Sequence, residues 1–361
     1  MATERHRRST VTVGDVARHA GVSIGTVSNV LNRPQQVRPE ILARVKKSIG
    51  ELGFVRNNVA RSLAGGSSRT LAFVMTDLAN SLFVDVARGA EDAAQDENMR
   101  LVLANSDVRA AKQAAYLEHF DEEQVAGILL TPVGGQLDGL DAVRRHGRPV
   151  VIVDFDPRTP DSCSVSADNE RAGYLAAAHL IGLGRRRLLF AGDLKESRAV
   201  ADRFAGARAA VAEYGGIRLE RVGTDDVRTE HGRLVGYELA ERPRDQMPDG
   251  IVAAAELVAL GIVQALLSRT ELDIPGDVAI VACDDNRSAF ESMIPISAVA
   301  LPGLEMGRTA TKLLVEEIRS PETHTHRRVI LEPLIVARES TVGRARATGS
   351  AGPGGAAPEG R

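Results

Sequence analysis

The sequence predicts a small all-α head carrying a helix-turn-helix, joined to an α/β body of two doubly wound parallel-sheet lobes. Three observations lead there. The chain has 361 residues, more than one ordinary domain holds. Its first sixty residues read as short helices with short turns, whereas from Thr70 short apolar runs alternate with helical stretches. Charge is also split: residues 1–69 hold twelve Lys/Arg against four Asp/Glu, a balance of +8, so a chain of net charge −3 leaves −11 for the rest. A basic end on an acidic body is the electrostatic pattern of a nucleic-acid-binding head.

Residues 1–10 are basic (Arg5, Arg7, Arg8) with no apolar stretch behind them, so they read as a disordered tail rather than a secretory signal. The head spans 11–56. Thr12 and Asp15 have the spacing of a capping box, which starts a helix with Val16 and Ala17 turned inward. Gly21 ends that helix, because a left-handed residue costs least as glycine. Ser23 caps the next one, Ile24 to Asn32. There Val27, Val30 and Leu31 form the inward stripe, and Gly25, Ser28, Asn29 and Asn32 the outward one. A small residue at Ala17, a turn at Gly21 and a β-branched Val27 let two helices cross closely, as in a helix-turn-helix. The bland reading is a plain helical hairpin; the basic charge speaks against it. A third helix starts at Pro39, carries Ile41, Leu42, Val45, Ile49 and Leu52, and stops at Gly53.

Residues 57–69 read as a hinge and linker. Asn57 to Gly65 has a cap, a helix-permissive run and a glycine stop, which makes a helix too short to stand alone in water. The body, 70–341, holds seven apolar runs: Leu71–Met75, Leu101–Ala104, Gly127–Leu130, Pro149–Val153, Arg187–Ala191, Gly250–Ala254 and Val278–Ala282. Runs without polar alternation are the mark of strands buried on both faces, and helices between them make the sheets parallel. Arg185–Arg187 reads as a solvated turn, Gly134-Gly135 as a turn without the spacing of a phosphate loop. The Gly-, Ala-, Pro- and Arg-rich stretch 342–361 is expected to be disordered.

Several functions are disfavoured. No tryptophan and few aromatics argue against stacking single-stranded bases. No apolar run approaches the ~18 residues a membrane span needs. Cys163 and Cys283 have no second Cys or His at ligand spacing, so buried thiols are expected and no metal or cofactor. No nucleophile elbow or Walker loop marks an enzyme.

The motifs then converge. Val11-Thr12-Val13-Gly14-Asp15-Val16-Ala17, Gly21-Val22-Ser23, Thr26 to Asn32, and Asn57 with Val59 to Ala64 resemble the head of the lactose/galactose-repressor family of bacterial transcription regulators. Asp77 to Phe83, Val125 to Leu130, His179 to Gly184 with Arg203 to Gly206, and Ile274 to Ile280 leading into Asp284-Asp285 resemble its body, in the right order. The resemblance implies a body like type I periplasmic binding proteins, two lobes joined by three crossovers. It implies a cytoplasmic homodimer, a repressor on a near-palindromic double-stranded operator, switched by a small sugar-like effector. Among its DNA-binding positions are base-edge readers at Ile24, Gly25 and Asn29, with Thr12, Ser23, Thr26, Ser28, Asn32, Asn57 and Ala64 beside them. Leu63 falls where a leucine wedges between central base pairs. The effector positions are Phe83, Thr131, Asp154, Arg203, Glu256 and Asp284. Alanine at Asp284 or Arg203 is expected to abolish the response and spare operator binding. For each, the bland alternative is a cap, a turn or a structural ion pair.

Three departures stand out. Ile24 and Gly25 carry no side-chain donor, so base readout there is apolar, while Asn29 suits a bidentate pair with adenine. Arg38 replaces a small capping residue. Ala255-Glu256 replaces the family's Asn-Asp, which favours a rival reading: a regulator that ignores small ligands or answers to a protein partner.

Overall fold

The computed structural model describes residues 11–54, 68–157, 161–192, 198–285 and 292–344. The chain divides into two units, the first through Ser67 and the second from Ser68. The hinge positions Asn57, Leu63 and Ala64 lie outside the described residues, as do residues 1–10 and 345–361.

In the first unit α1 (Val13–Ala20), α2 (Ile24–Asn32) and α3 (Pro39–Leu52) close over one small core. Val16, Val27 and Val45 are fully buried there, with Ala17, Ala20, Val30 and Phe54, and Leu31, Ile41, Leu42, Ile49 and Leu52 pack around them. The turn between α1 and α2 is made by Gly21 at φ 64°, where any Cβ would be strained. Arg38 gives α3 no side-chain cap, and Pro39 begins it.

The second unit starts with β1 (Thr70–Met75), α4 (Ser81–Asp96), β2 (Arg100–Asn105), α5 (Ala110–Glu122), β3 (Gly127–Leu130), α6 (Leu140–Arg145), β4 (Val150–Val153) and β5 (Ser164–Ala167). The second lobe follows: α7 (Asn169–Gly182), β6 (Arg187–Ala191), α8 (Arg198–Tyr214), β7 (Arg218–Val222), α9 (Thr229–Ala240), β8 (Gly250–Ala253), α10 (Glu256–Arg269), β9 (Ala279–Ala282) and β10 (Ser297–Ala300). The chain then returns through α11 (Gly303–Arg319) and β11 (Arg328–Leu331) to the first lobe, and ends with β12 (Leu334–Val336) and α12 (Glu339–Val342) on the second. The sheet orders are β11-β5-β4-β3-β1-β2 and β12-β10-β9-β8-β6-β7, parallel throughout except that β12 runs against β10. Three passages between the sheets result, after β5, β10 and β11. Each sheet buries apolar clusters on both faces.

Four corrections to the sequence reading follow. The described residues hold twelve strands, not seven. The serines and alanines of β5 and β10 dilute the apolar signal, and β7, β11 and β12 are edge or near-solvent strands with charged or exposed residues. β2, read as doubly buried, is a sheet edge that exposes Val102 and Leu103. Arg185 is no free turn residue: its Nη1 donates to Gly276 O at 3.0 Å, which ties the start of β6 to the loop before β9. At the chain's end α12 takes in Val342, a residue assigned to the tail.

Candidate DNA-reading helix and effector cleft

The reading helix is built by its caps. Thr12 Oγ1 accepts the Asp15 N–H at 3.3 Å and Asp15 Oδ2 accepts the Thr12 N–H at 2.9 Å, so both halves of the capping box form. The Thr12 bonds hold the Asp15 carboxyl below its ordinary pKa, with Arg18 adding to them. Ser23 Oγ accepts the Thr26 N–H at 3.1 Å and starts α2. With Val27 and Val30 anchored in the core, Ser23, Ile24, Gly25, Ser28, Asn29 and Asn32 are left on the exposed face. Thr26 is half-buried, its hydroxyl 2.9 Å from that of Ser23. Asn32 Nδ2 donates to Ser28 Oγ at 3.2 Å, along the helix. Ile24 is 60% exposed, a large apolar side chain at the helix N-terminus with no partner in the core. Such a helix, N-terminus outward, can enter a major groove.

The cleft residues sit differently. Asp154 follows β4, Asp284 lies two residues past β9, Thr131 follows β3 and Glu256 opens α10, all at carboxyl ends of strands or helix starts. Arg203 comes from α8, which is drawn against α7 by mutual glycines. A Cβ on Gly173 would stand 1.7 Å from Arg203 O, and one on Gly206 1.8 Å from Glu170 O. That close approach carries the guanidinium inward, where Nη1 donates to Ala254 O at 2.6 Å and Nε to Asn169 Oδ1 at 2.8 Å. Asp284 Oδ1 accepts the Glu256 N–H at 2.5 Å, and so caps an α10 whose own cap residue is Ala255. Burial raises the pKa of the Asp284 carboxyl, and the positive charge of Arg203 opposes the rise.

Asp154 stands apart. It has φ +57°, in the left-handed region that non-glycine residues seldom occupy. Its Oδ1 is inaccessible and has no hydrogen-bond partner, although the residue as a whole is partly exposed. Desolvation pushes its pKa to about 6, against the attraction of Arg203 and with some repulsion from Asp284. It also lines a cavity of about 260 Å³ whose walls come from both lobes: Asp156, Arg328 and Ile330 from the first, Arg198 and Asp202 from the second, Asn169 at the passage between them. Arg328 pairs with Asp156 at 3.2 Å, and Arg198 reaches the Asp156 carbonyl at 3.3 Å.

The structure therefore groups Asp154, Arg203 and Asp284 as one charged set, with Glu256 joined to it through its backbone. Thr131 is buried, and its Oγ1 also has no hydrogen-bond partner. Phe83 is 7% exposed within the first lobe's core, beside Leu82 and Val86; of the six effector positions only Asp154 lines the cavity, and Phe83, Thr131, Arg203, Glu256 and Asp284 do not. The sequence reading missed Asn169, Asp156, Arg198, Asp202 and Arg328. Only Asn169, at the first position of a helix that follows a strand end, carried a signal.

Comparison with known proteins assigns the chain. Residues 12–57 match the description "Bacterial regulatory proteins, lacI family" and residues 177–341 the "Periplasmic binding protein-like domain". The HTH-type transcriptional regulator RegA of Clostridium saccharobutylicum is 30% identical over 334 residues, 91% of this chain and 99% of that protein. The chain belongs to the lacI family. It is thus a DNA-binding transcription regulator with a helix-turn-helix and a periplasmic-binding-protein-like body. The ribose operon repressor of Escherichia coli K12 is 30% identical over 91% of this chain and 99% of its own length. The transcriptional regulator CelR–cellobiose complex superposes with a TM-score of 0.65 at 28% identity, covering 91% and 99% of the two chains. The lac repressor dimer bound to operator and an anti-inducer shares the fold, with a TM-score of 0.78 at 22% identity over 92% and 99%. No helix among the described residues is long and apolar enough to cross a membrane.

Proposed function

We propose that this lacI-family regulator is a cytoplasmic homodimeric repressor of a near-palindromic operator, and that a small polyhydroxylated ligand in the cleft sets its affinity for DNA. The observation that carries the ligand half is Asp154: a buried carboxylate oxygen without a partner, on strained backbone, in a polar cavity with walls from both lobes. Strain and an unmet acceptor are retained where a ligand repays them. A sugar hydroxyl supplies the missing donor, and the surrounding acids, amide and arginines suit the other hydroxyls. Relatives named for ribose and solved with cellobiose support a sugar. The volume lies just below the ~300–1,000 Å³ of common small-molecule sites, which favours a small polar ligand.

For the DNA half, the exposed outer face of α2 is the reading surface, and two-fold repetition doubles a contact that one helix makes to only a few base pairs. Exposed Val102, Leu103 and Val108 in the first lobe, with Leu234 and Tyr237 in the second, offer apolar surface for a partner subunit. Leu63 is the expected minor-groove wedge, so Leu63→Ala loses specific affinity while the body stays folded.

The test is a footprint of the full chain on its operator, followed by a thermal-shift panel of pentoses, hexoses and nucleosides. Two symmetric half-sites, and a sugar that both raises the melting temperature and changes operator affinity, are expected. A single asymmetric half-site defeats the dimer reading. Sugars that leave both readouts unmoved defeat the effector reading and favour a ligand-independent or partner-controlled regulator.

A further inference from the structure

Cys163 immediately precedes β5, and the loop Ser320–Arg327 leads from α11 into β11. β5 and β11 pair in parallel, with Arg328 opposite Ser164, so the residues just before the two strands meet at one end of the first sheet. That register brings His324 and His326 to Cys163, more than 160 positions away in the chain. Glu317, in the last turn of α11, faces the same point. A search by sequence spacing finds no ligand set here, which is why the thiol read as an inert buried one.

The donor atoms form a compact shell. Cys163 Sγ lies 3.2 Å from His324 Nε2 and 3.9 Å from His326 Nδ1. Glu317 Oε2 lies 3.8 Å from His324 Nε2 and 3.9 Å from His326 Nδ1. The sulfur and two ring nitrogens are all within 4.8 Å of one another. Zinc bonds of ~2.0–2.1 Å to nitrogen or oxygen and ~2.3 Å to sulfur imply tetrahedron edges of about 3.3–3.6 Å. The two sulfur–nitrogen edges lie on either side of those values, and the two edges to Glu317 are longer by about half an ångström, so Glu317 completes the shell by a small inward shift of its side chain.

From these donors we infer a binding site for a divalent transition metal, best suited to zinc, with Cys163, His324, His326 and Glu317 as ligands. The bland alternative is a hydrogen-bonded Cys–His pair. It leaves Glu317 Oε2 and His324 Nδ1 buried without hydrogen-bond partners, although the His324 side chain is only 1% exposed. Two unmet polar atoms beside a buried thiol are costly, and a cation at the centre satisfies the carboxylate directly. The charges also balance: a dication, a thiolate, a carboxylate and two neutral imidazoles sum to zero, which a poorly solvated place tolerates. A thiolate with two imidazoles selects zinc over magnesium or calcium, which prefer all-oxygen shells.

The outer groups fit too. Glu316 Oε1 lies 3.7 Å from His324 Nδ1, placed to take its N–H once Nε2 binds metal, and Arg327 pairs with that same Glu316. The Arg327 N–H donates to Cys163 Sγ at 3.3 Å, a bond that favours the thiolate. Without metal, burial holds the thiol above its ordinary pKa. Binding therefore breaks the S–H bond and releases one proton to solvent as the metal–sulfur bond forms. The metal would fasten β11, an edge strand through which the chain passes between lobes, to β5 and the end of α11.

The experiment titrates the reduced, metal-stripped full chain with Co(II) under anaerobic conditions. An intense visible d–d absorption and a near-ultraviolet thiolate-to-cobalt band are expected, both saturating at one Co(II) per chain and both removed by Zn(II). Cys163→Ser loses the charge-transfer band. His324→Gln weakens Zn(II) binding by more than the ~10–100-fold that follows loss of an outer partner, while Glu316→Gln falls within that range. Zn(II) raises the melting temperature of the parent and not of Cys163→Ser. A weak octahedral spectrum without the sulfur band overturns the site, as does a charge-transfer band that survives Cys163→Ser. Should Cys163→Ser fold poorly, His326→Gln tests the site from the loop side: Co(II) and Zn(II) binding should weaken as for His324→Gln, and unchanged affinity overturns the site.

Discussion

The reading helix and the cleft hold their polar groups in opposite ways. On α2 the groups placed to meet DNA lie at the surface, all exposed but the half-buried Thr26, and they bond along the helix, Thr26 to Ser23 and Asn32 to Ser28. Among the candidate effector residues, Arg203, Glu256 and Asp284 are buried and bonded to the protein itself: Arg203 donates to Ala254 O and Asn169 Oδ1, and Asp284 accepts the Glu256 N–H. Surface groups on a rigid helix can be exchanged with little effect on folding. Buried groups that brace one another also hold the fold, so a substitution there changes stability before it changes recognition. Asp154 and Thr131, each with an unmet oxygen, are the cleft residues with capacity to spare.

The largest expected effect follows for Arg203→Ala. It strips donors from Ala254 O and Asn169 and leaves Asp154 and Asp284 without the cation that offsets their burial. Breaking a buried charge set in this way costs ~3–5 kcal/mol. The geometry thus revises the expectation that this variant only silences the response. Urea unfolding of parent and variant measures the loss; an unchanged midpoint with a lost effector response would collapse the contrast between cleft and helix.

Asp154→Asn sharpens it from the other side. An acid whose folded pKa lies near 6, above an ordinary value of 3.8, makes ionisation a cost of folding. That cost is absent below the ordinary pKa, grows as pH rises toward 6 and is complete above it. Removing it stabilises the protein at pH 7 by up to ~3 kcal/mol, and asparagine tolerates the left-handed backbone. The gain should vanish near pH 4, as paired denaturation curves at the two pH values will show. The effector response should disappear with it. In the parent, a ligand whose hydroxyls donate to the ionised carboxylate binds more weakly as pH falls below about 6. A variant less stable than the parent at pH 7 would mean that Asp154 is a structural anion.

On the helix, Asn29→Ala should cost ~1–3 kcal/mol of operator affinity, about five- to 150-fold, and relax discrimination at one base pair. Body unfolding, effector binding and the salt slope should stay as in the parent. Uniform weakening on all DNA sequences would reassign Asn29 to a phosphate.

The same contrast explains what the sequence revealed. The head was legible residue by residue because its determinants are local: the Thr12–Asp15 box, Gly21 and the Val27, Val30, Leu31 stripe all act within one or two turns. The parallel lobes were legible where strands are unbroken runs of mostly large apolar residues, as in β1 and β4, but not where serine and alanine fill them, as in β5 and β10. The cleft was legible only as family positions. The Arg328–Asp156 and Arg198–Asp156 contacts arise from strand order, and neither that order nor the Cys163–His324 approach is written in any local spacing.

Thr12→Ala carries the smallest expected effect and tests the comparison at its margin, because Thr12 is both a cap and a proposed DNA contact. Loss of the hydroxyl removes the bond from the Asp15 N–H and the main cause of the lowered Asp15 pKa. A lost threonine cap costs ~0.5–2 kcal/mol of helix stability. The box's contribution is present above the ordinary carboxylate pKa and fades as pH falls through the depressed one, so parent and variant should converge in acid. Thr12→Ser keeps the hydroxyl and should restore the stability. If operator affinity falls only as far as the head's stability does, Thr12 acts by holding α1 in place. A loss of affinity larger than the stability change, rescued by serine, makes the hydroxyl a direct contact and places Thr12 with the reading surface.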